Sequence, residues 1–252
     1  MLLVILRAPL SAVGMVERAA EAIGMAPADL RHKLAGAPPM VLKVDTDGAR
    51  IASAKAALDA LGFRAAAVDA GEVQGDGERV VARRLELDGA GLSATAGLPG
   101  EAPRRIRAEA IELLVRGVRG VNETKTTHTT ERQISLGRAV MSAGLLLTKK
   151  VQTTSTRTDE RREPFLLIAA SDGGPDVILY EKRLDYRFLG AEMQPAVFAN
   201  FERTFARLRA LAPGAAVDER MARGPFVAGL PATGADPVDL ALHLLRLAAR
   251  ER

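Results

Sequence analysis

The side chains best suited to chemistry are few in this chain and lie far apart in the sequence. The only histidines are His32, His128 and His243, and there is no cysteine. A zinc site would need ligands gathered from separate elements, since no two histidines have the spacing of a zinc-binding helix. The adjacent carboxylates Asp159–Glu160 and Asp218–Glu219 are more typical of solvated surface than of an acid–base pair. We therefore predict no catalytic, cofactor-binding or metal-binding residues, and a protein that is not an enzyme.

Two glycine-rich segments have the composition of functional loops but lack their defining residues. Residues 89–97 do not end in the lysine and hydroxyl residue of a phosphate-binding loop, and no helix is predicted after them. Residues 171–174, Ser-Asp-Gly-Gly, favour a hairpin turn over a nucleophile elbow. Of the histidines, we interpret His32 and His243 as residues on helix surfaces.

The composition is that of a globular protein with one or two domains. Of 252 residues, 48% are hydrophobic and 26% are charged, and the formal net charge is +4, which is modest for a nucleic-acid-binding protein. The apolar run at residues 2–6 is followed by Arg7 and Pro9, so it favours a buried strand over a signal peptide. No run approaches the roughly 18–20 apolar residues that span a bilayer. We expect a cytoplasmic protein.

Residues 1–71 show alternating signals for strands and helices. Ser11 and Gly24 are placed to begin and end a first helix, and Asp47 and Gly62 to begin and end a long one. Apolar runs before, between and after these helices predict strands. The predicted order is strand, helix, helix, strand, helix, strand, which is a small α/β sandwich with its helices on one face of the sheet.

This order, with the phrases GMAPADLRHKLAGAPPMVLKV and ALDALGFRAAAV, resembles the C-terminal domain of the ribosomal stalk protein. The markers of the resemblance are Gly24, Leu34, Gly36, Pro38, Leu58 and Gly62. They are mostly positions that end or connect elements, so the resemblance implies a fold more than a function. A recurrent α/β module used for another purpose is the alternative.

The stalk family binds translation factors through a basic surface that includes lysine on its first helix. Glu17 occupies the corresponding position here, and Arg31 and Lys33 keep positive charge nearby. A reversed charge on a docking helix changes both steering and partner choice. Binding of translation factors is therefore not carried over to this chain.

Residues 71–78 are rich in glycine and acidic residues and predict a linker before a β-rich domain at residues 79–252. Its predicted strands include residues 80–87, 92–96, 165–170 and 177–180. A helix then carries Phe198, Phe201 and Phe205 on one face. Strands closed by such a helix weakly resemble a bacterial pleckstrin-homology-like barrel, in which the three phenylalanines would plug the barrel. The alternative for residues 79–252 is a generic α+β sandwich. The fold class predicted for the whole chain is α+β.

Residues 122–163 form an unusual insertion in this second domain. Two Thr-rich, charged flanks surround the apolar segment ISLGRAVMSAGLLLT, and threonine favours strands. We predict a projecting β-ribbon whose connection presents an apolar contact surface. The candidate partner-contact residues are Leu136, Val140, Met141, Leu145, Leu146 and Leu147. The alternative is an ordinary buried helix between Thr-rich loops.

These observations favour a non-catalytic binding or scaffold protein that acts through a protein partner or self-association. One alternative is a ribosome- or nucleic-acid-associated factor, suggested by the first domain. A second is a peripheral protein that binds a membrane surface through the apolar segment beside Arg138, Lys149 and Lys150. No small-molecule substrate is identified.

Overall fold

The structure, a computed structural model, has both helices and sheets and confirms the predicted α+β class. The residues it describes are 1–9, 14–98, 100–134, 148–223 and 225–251, with the backbone alone at 121–134, 148–161 and 225. The predicted contact residues Leu136, Val140, Met141 and Leu145–Leu147 lie outside the described residues.

The strands and helices are numbered in chain order. The strands are β1 (Leu2–Arg7), β2 (Met40–Val44), β3 (Arg64–Val68), β4 (Val80–Ala82), β5 (Arg84–Asp88), β6 (Gly91–Thr95), β7 (Arg104–Arg107), β8 (Ile111–Ile134), β9 (Thr148–Ala170), β10 (Val177–Tyr180) and β11 (Ala216–Asp218). The α-helices are α1 (Val16–Ile23), α2 (Pro27–Leu34), α3 (Gly48–Ala60), α4 (Val197–Leu211), α5 (Pro225–Ala228) and α6 (Pro237–Arg250). Short 3-10 helices are Ala70–Glu72, Asp76–Glu78, Ala108–Ala110, Tyr186–Glu192 and Arg220–Arg223.

The first elements follow the predicted order, and β1 is the central strand of an antiparallel sheet ordered β2-β1-β3. The Asp47 carboxylate accepts hydrogen bonds from the backbone N–H groups of Ala49 and Arg50, at 2.9 and 3.3 Å, and so caps α3. Helix α1 ends at Gly24, whose φ of 64° is a left-handed conformation that suits glycine. Ser11, the predicted cap of α1, lies outside the described residues.

The predicted barrel is wrong, because none of the sheets formed by the described residues closes on itself. A five-stranded sheet has the order β11-β8-β9-β10-β4, and a separate three-stranded sheet has the order β5-β6-β7. The chain changes sheets at Arg83: β4 pairs in parallel with β10, whereas β5 pairs with β6. Residues 80–87, predicted as one strand, are therefore two strands that belong to different sheets.

The five-stranded sheet has one hydrophobic core on each face. On one face, Leu114, Leu166 and Leu179 pack with Phe201 and Phe205 of α4 and with the inner side of the three-stranded sheet. The predicted plugging role of Phe198 is wrong, because this side chain is 61% exposed. Phe198 is in the first turn of α4, one turn before Phe201. This end of the helix extends past the core that contains Phe201 and Phe205.

Helix α6 covers the other face of the five-stranded sheet and also packs on the N-terminal sheet. Leu242 and Leu245 lie in a core with Leu113 and Phe165 of the five-stranded sheet. On the opposite side of the helix, Leu240 and Leu244 pack with Leu2, Val4 and Leu6 of β1. The apolar side chains of this helix are therefore buried within this chain, and the helix is shared by two cores.

By compactness the chain divides into one unit made of Met1–Arg119 with Pro164–Arg252, and a second made of Gly120–Glu163. The first unit contains both the predicted α/β sandwich and most of the predicted β-rich domain. Their assignment to separate domains, 1–71 and 79–252, stays a prediction. Residues 71–78, predicted as a linker, include the 3-10 helix Asp76–Glu78 and contribute a carboxylate to a buried cluster described below.

Candidate functional site

The flanks of the predicted contact segment are strands. Strand β8 extends to Ile134, strand β9 begins at Thr148, and the two are hydrogen-bonded neighbours in the five-stranded sheet. The threonine-rich flanks are therefore strands, as the ribbon interpretation predicts, and not loops. Whether residues 122–163 make a contact surface is not tested by this arrangement and stays a prediction.

Besides each other, β8 and β9 each have one further neighbour in the sheet, and both of these neighbours are short strands. Strand β11 pairs with β8 at Leu113–Val115, and β10 pairs with β9 at Phe165–Ile168. Along residues 120–134 and 148–163, the strand order of the described residues gives β8 and β9 no neighbour besides each other. A strand edge without a neighbour is a place where another strand can pair.

Within the first unit, β8 is anchored to helices on both faces of its sheet. The Arg116 guanidinium pairs with Glu202 of α4, Nη1 to Oε2 at 3.0 Å, and lies 5.8 Å from the ring centroid of Phe205. Gly117 allows the ring of Phe165 to lie against the strand, since a Cβ there would be 2.4 Å from the ring. Three residues after Arg116, Arg119 makes the corresponding contacts to α6.

Arg119 belongs to a buried charge cluster, which we define as Asp76, Arg79, Arg119, Tyr180 and Asp239. Asp236 lies at its rim, half-exposed, with Oδ1 3.3 Å from Arg119 Nη2. Both arginines donate to Oδ1 of Asp239, with Arg79 Nη1 at 2.5 Å. Arg119 Nη1 also lies 2.8 Å from Asp76 Oδ2 and donates to the Tyr180 hydroxyl at 3.1 Å. The Tyr180 hydroxyl in turn donates to Asp76 Oδ2 at 2.5 Å. The cluster thus ties β8, β10 and α6 to the segment before β4.

The charged side chains of the cluster need close partners because they are buried. The side chains of Arg79, Arg119 and Asp239 are 3%, 12% and 10% exposed, and an unpaired charge at that depth is strongly destabilising. Burial opposes the charge on Arg119, but Tyr180, Asp239 and Asp76 favour it and raise the pKa of Arg119. Burial, followed by the hydrogen bond to Asp76, raises the pKa of Tyr180, so this phenol is neutral at physiological pH. These contacts hold β8, β10 and α6 against the segment before β4.

A second network lies at the other end of α6. Arg246 Nη1 donates to Asp176 Oδ2 at 2.9 Å, and Arg246 Nε donates to Glu112 at 3.2 Å. Burial raises the pKa of Asp176, although Arg246 and Arg79 act in the opposite direction. Oδ1 of Asp176 and Nε of Arg79 are buried without a partner among the described residues. A bridging water is the usual way in which such atoms are satisfied.

A cavity of about 340 Å³ lies between β1, β11 and the last turns of α6. Its apolar part is formed by Leu6, Leu113 and Leu245, and Arg220 lies at its edge. Arg220 is already engaged, because it donates to Asp218 at 2.7 Å and to the carbonyls of Ala37 and Pro38. The volume is at the lower end for a small-molecule site, and Arg220 and Asp218, two of the charged residues that line it, already pair with each other.

The histidines and the basic residues of the first helices occupy separate places. His32 is exposed, whereas His243 is half-buried on α6, contrary to its interpretation as a surface residue. Arg31 pairs with Glu17, and Lys33 donates to the carbonyl of Val41 at 3.1 Å. The positive charges that the stalk resemblance singles out are therefore both engaged within the chain.

The charge cluster is absent from the predicted site residues, because its members are dispersed between positions 76 and 239. Beside it, the Asp236 carboxylate caps α6 and accepts from the N–H groups of Val238 and Asp239 at 2.9 and 3.1 Å. Among the side chains that the structure describes, no three histidines or carboxylates are grouped to hold a metal ion. In the described part of the chain, no helix has both the length and the apolar character needed to cross a membrane.

No protein-family model matches the chain, and neither the curated proteins nor the solved structures include a match to it.

Proposed function

We propose that this protein is a non-catalytic binding or scaffold protein of the cytoplasm that acts through protein–protein contacts or self-assembly, with the insertion at residues 122–163 making the contact. The observation that supports this most directly is the division of the chain, in which Gly120–Glu163 is a compact unit of its own. Two strands of the first unit continue into it. The insertion is therefore entered and left through strands that belong to the five-stranded sheet.

The strands that lead into this unit are held firmly where they leave the first one. Arg116 and Arg119 connect β8 to α4 and α6, and Phe165 of β9 is fully buried. Ion pairs of low exposure and a buried aromatic ring resist local opening better than a solvated loop does. Such anchoring suits a contact element, because less ordering entropy is lost when a partner binds.

The sequence and the strand edges indicate two ways in which this unit could bind a protein. Its apolar segment contains Leu136, Met141 and Leu145–Leu147 between charged flanks, a composition suited to a contact patch with a polar rim. The outer edges of β8 and β9 offer backbone N–H and C=O groups to a third strand. Both modes use a protein surface and neither requires a cofactor.

The test replaces residues 134–148 by an Asn-Gly turn and compares solution mass by light scattering with that of the intact 26.7 kDa chain. The proposal expects the intact chain to form an oligomer or retain a co-purified protein, and the variant to lose it while its thermal unfolding is unchanged. The matched control is Leu98→Ser, which removes a leucine that is 68% exposed in the first unit. An unchanged mass and an unchanged set of partners in a folded variant would contradict the proposal.

Two binding measurements separate this proposal from its alternatives. RNA binding that falls steeply with salt would favour the nucleic-acid-associated factor, and flotation with anionic liposomes would favour the peripheral membrane protein. Either result, if abolished by the same replacement of residues 134–148, would overturn the proposed protein–protein role of that segment.

A further inference from the structure

The three-stranded sheet presents an outer face on which charged residues are arranged in two parallel rows. Pairing places Glu86 of β5 opposite Ser93 of β6, which is opposite Arg105 of β7. The next row is Asp88, Gly91 and Arg107 in the same order. Each row therefore has a carboxylate on β5, a small residue on β6 and an arginine on β7.

These rows line a groove of about 550 Å³, which we call the dipolar groove. Its floor is β6, its acidic wall is formed by Glu86 and Asp88, and its basic wall by Arg105 and Arg107. Arg84, two residues before Glu86, ends the acidic wall. The two walls lie two strand spacings apart, about 9.6 Å, because neighbouring strands are about 4.8 Å apart.

The floor of the dipolar groove is fixed by the residues beneath it. Leu85, Leu92 and Ile106 point to the other side of the sheet and are buried in the core shared with α4. At Gly91, a Cβ would be 2.2 Å from the carbonyl oxygen of Ile106, so β6 and β7 are in close contact there. The groove is therefore a preformed surface and not a gap between movable loops.

One end of the groove is held by a bidentate ion pair. Arg104 Nη1 and Nη2 donate to the two carboxylate oxygens of Asp172, at 2.9 and 2.5 Å, and Arg104 Nε donates to the carbonyl of Pro175 at 2.9 Å. The hydrogen bonds from Arg104 lower the pKa of Asp172, which stays ionised. Asp172 thus lines the groove as a charge that is already neutralised.

The charges of the two walls are largely available. Glu86 and Arg105 are exposed, and neither forms an ion pair with any side chain that the structure describes. Arg107 has an exposed contact with Glu109 at 3.4 Å, a geometry that contributes little. Asp88 uses one oxygen to accept from the N–H groups of Ala90 and Gly91, both at 2.8 Å, and keeps the other.

From this geometry we infer that the dipolar groove binds a short extended peptide in which basic and acidic residues alternate. In an extended peptide lying along β6 with its pleat parallel to the sheet, successive side chains point to opposite walls. Side chains on one side repeat every two residues, about 6.6–6.8 Å, which is also the spacing of Glu86 from Asp88 and of Arg105 from Arg107. Two basic residues then meet the acidic wall, and two acidic residues meet the basic wall.

The same charges exclude other ligands. A nucleic acid would place phosphates against Glu86 and Asp88, and like charges at close range are unfavourable. The groove lies in the first unit, so this inference is independent of the contact proposed for residues 122–163.

The test titrates the full chain with the peptide acetyl-Lys-Glu-Lys-Glu-amide and follows backbone amide shifts by NMR. The comparison peptide, acetyl-Lys-Lys-Glu-Glu-amide, has the same composition but cannot direct each sign to one wall. We expect shifts concentrated on β5–β7 and tighter binding of the alternating peptide. Equal affinities for the two peptides, or shifts centred elsewhere, would overturn the inference.

Single substitutions in the walls supply the second arm of the test. Glu86→Gln and Arg105→Gln should each weaken the alternating peptide about 2- to 5-fold, the range for one exposed ion pair, and 0.5 M salt should weaken it further. Matched controls are Glu21→Gln and Arg18→Gln, exposed residues on α1, which should leave affinity unchanged. If the wall variants behave like the controls, the dipolar groove is not the binding site.

Discussion

The charge cluster and the dipolar groove are built from the same kinds of side chain under opposite conditions of exposure. In the cluster, Arg79 and Arg119 are almost inaccessible to solvent and share the carboxylate of Asp239. In the groove, Glu86 and Arg105 face each other across Ser93 without pairing. Water solvates the charges of the groove. The charges of the cluster are stabilised only by other protein groups.

This difference in exposure distinguishes charged side chains that stabilise the fold from those that can bind a ligand. A buried charge loses several kcal/mol of hydration, so it is tolerated only with a close partner. An exposed charge loses almost nothing by remaining free, because exposed pairs contribute about 0–1 kcal/mol. We therefore expect substitutions in the cluster to change folding and those in the groove to change binding.

The largest expected effect is in the cluster. Asp239→Ala leaves Arg79 and Arg119 buried without their shared carboxylate, and should lower the free energy of unfolding by about 3–5 kcal/mol. The measurement is the midpoint of urea unfolding at an unchanged slope. The neighbouring Asp236→Ala is the control. It removes a half-exposed cap of α6 and should cost only about 1 kcal/mol. Equal losses for the two variants would show that burial does not distinguish them.

A smaller loss is expected at the floor of the groove. Gly91→Ala places a Cβ 2.2 Å from the Ile106 carbonyl oxygen, so β6 and β7 must separate, at a cost of about 1–3 kcal/mol. Gly89→Ala is the matched control, since nothing lies within 4 Å of a Cβ there. Thermal unfolding of both variants measures the difference. If Gly91→Ala is as stable as its control, β6 and β7 separate more easily than the close contact at Gly91 indicates.

A pH-dependent effect is expected from the half-buried histidine of α6. Burial lowers the pKa of His243; Glu72 opposes this, and Arg246, Arg79 and Arg250 reinforce it. The unfolded chain therefore takes up a proton more readily than the folded chain, and stability falls as the pH falls through about 6.5. His243→Gln should remove this part of the slope between pH 7.5 and 5. An identical slope in urea titrations of the two proteins would contradict the assignment.

The smallest expected effects are on the walls of the groove. Glu86→Gln and Arg105→Gln should each change the free energy of unfolding by less than about 0.5 kcal/mol, because both side chains are exposed and neither forms an ion pair with a described side chain. Urea unfolding of each variant beside the original protein measures this. A loss above about 1 kcal/mol would show that these charges stabilise the fold, and would remove the contrast with the cluster.

The sequence predicted those features of the fold that depend on near neighbours along the chain. The cap at Asp47 and the helix end at Gly24 follow from residues within one helical turn. The barrel was wrong because the change of sheet at Arg83 depends on which distant strand each segment meets. Local alternation is the same for one long strand and for two short ones in different sheets.

The candidate functional residues also divide into those indicated by near neighbours in the sequence and those brought together only by the fold. Nothing near Asp76 or Asp239 in the sequence indicates that Arg119 lies between them, since the partners are more than 40 residues from Arg119 along the chain. Opposed walls such as Glu86 and Arg105 become visible only when the register of β5, β6 and β7 is known. Leu136, Met141 and Leu145–Leu147 remain a prediction from sequence.

The position of α6 along the chain has a consequence for folding during synthesis. Leu240 and Leu244 complete the core around β1, and Leu242 and Leu245 complete the core behind β8 and β9, yet all four are made after every strand they cover. Domains generally fold as units while the chain is being made, but here both sheets keep an uncovered apolar face until residue 245 has left the ribosome. A chain that ends before Pro237 should therefore expose the apolar faces of both sheets at once.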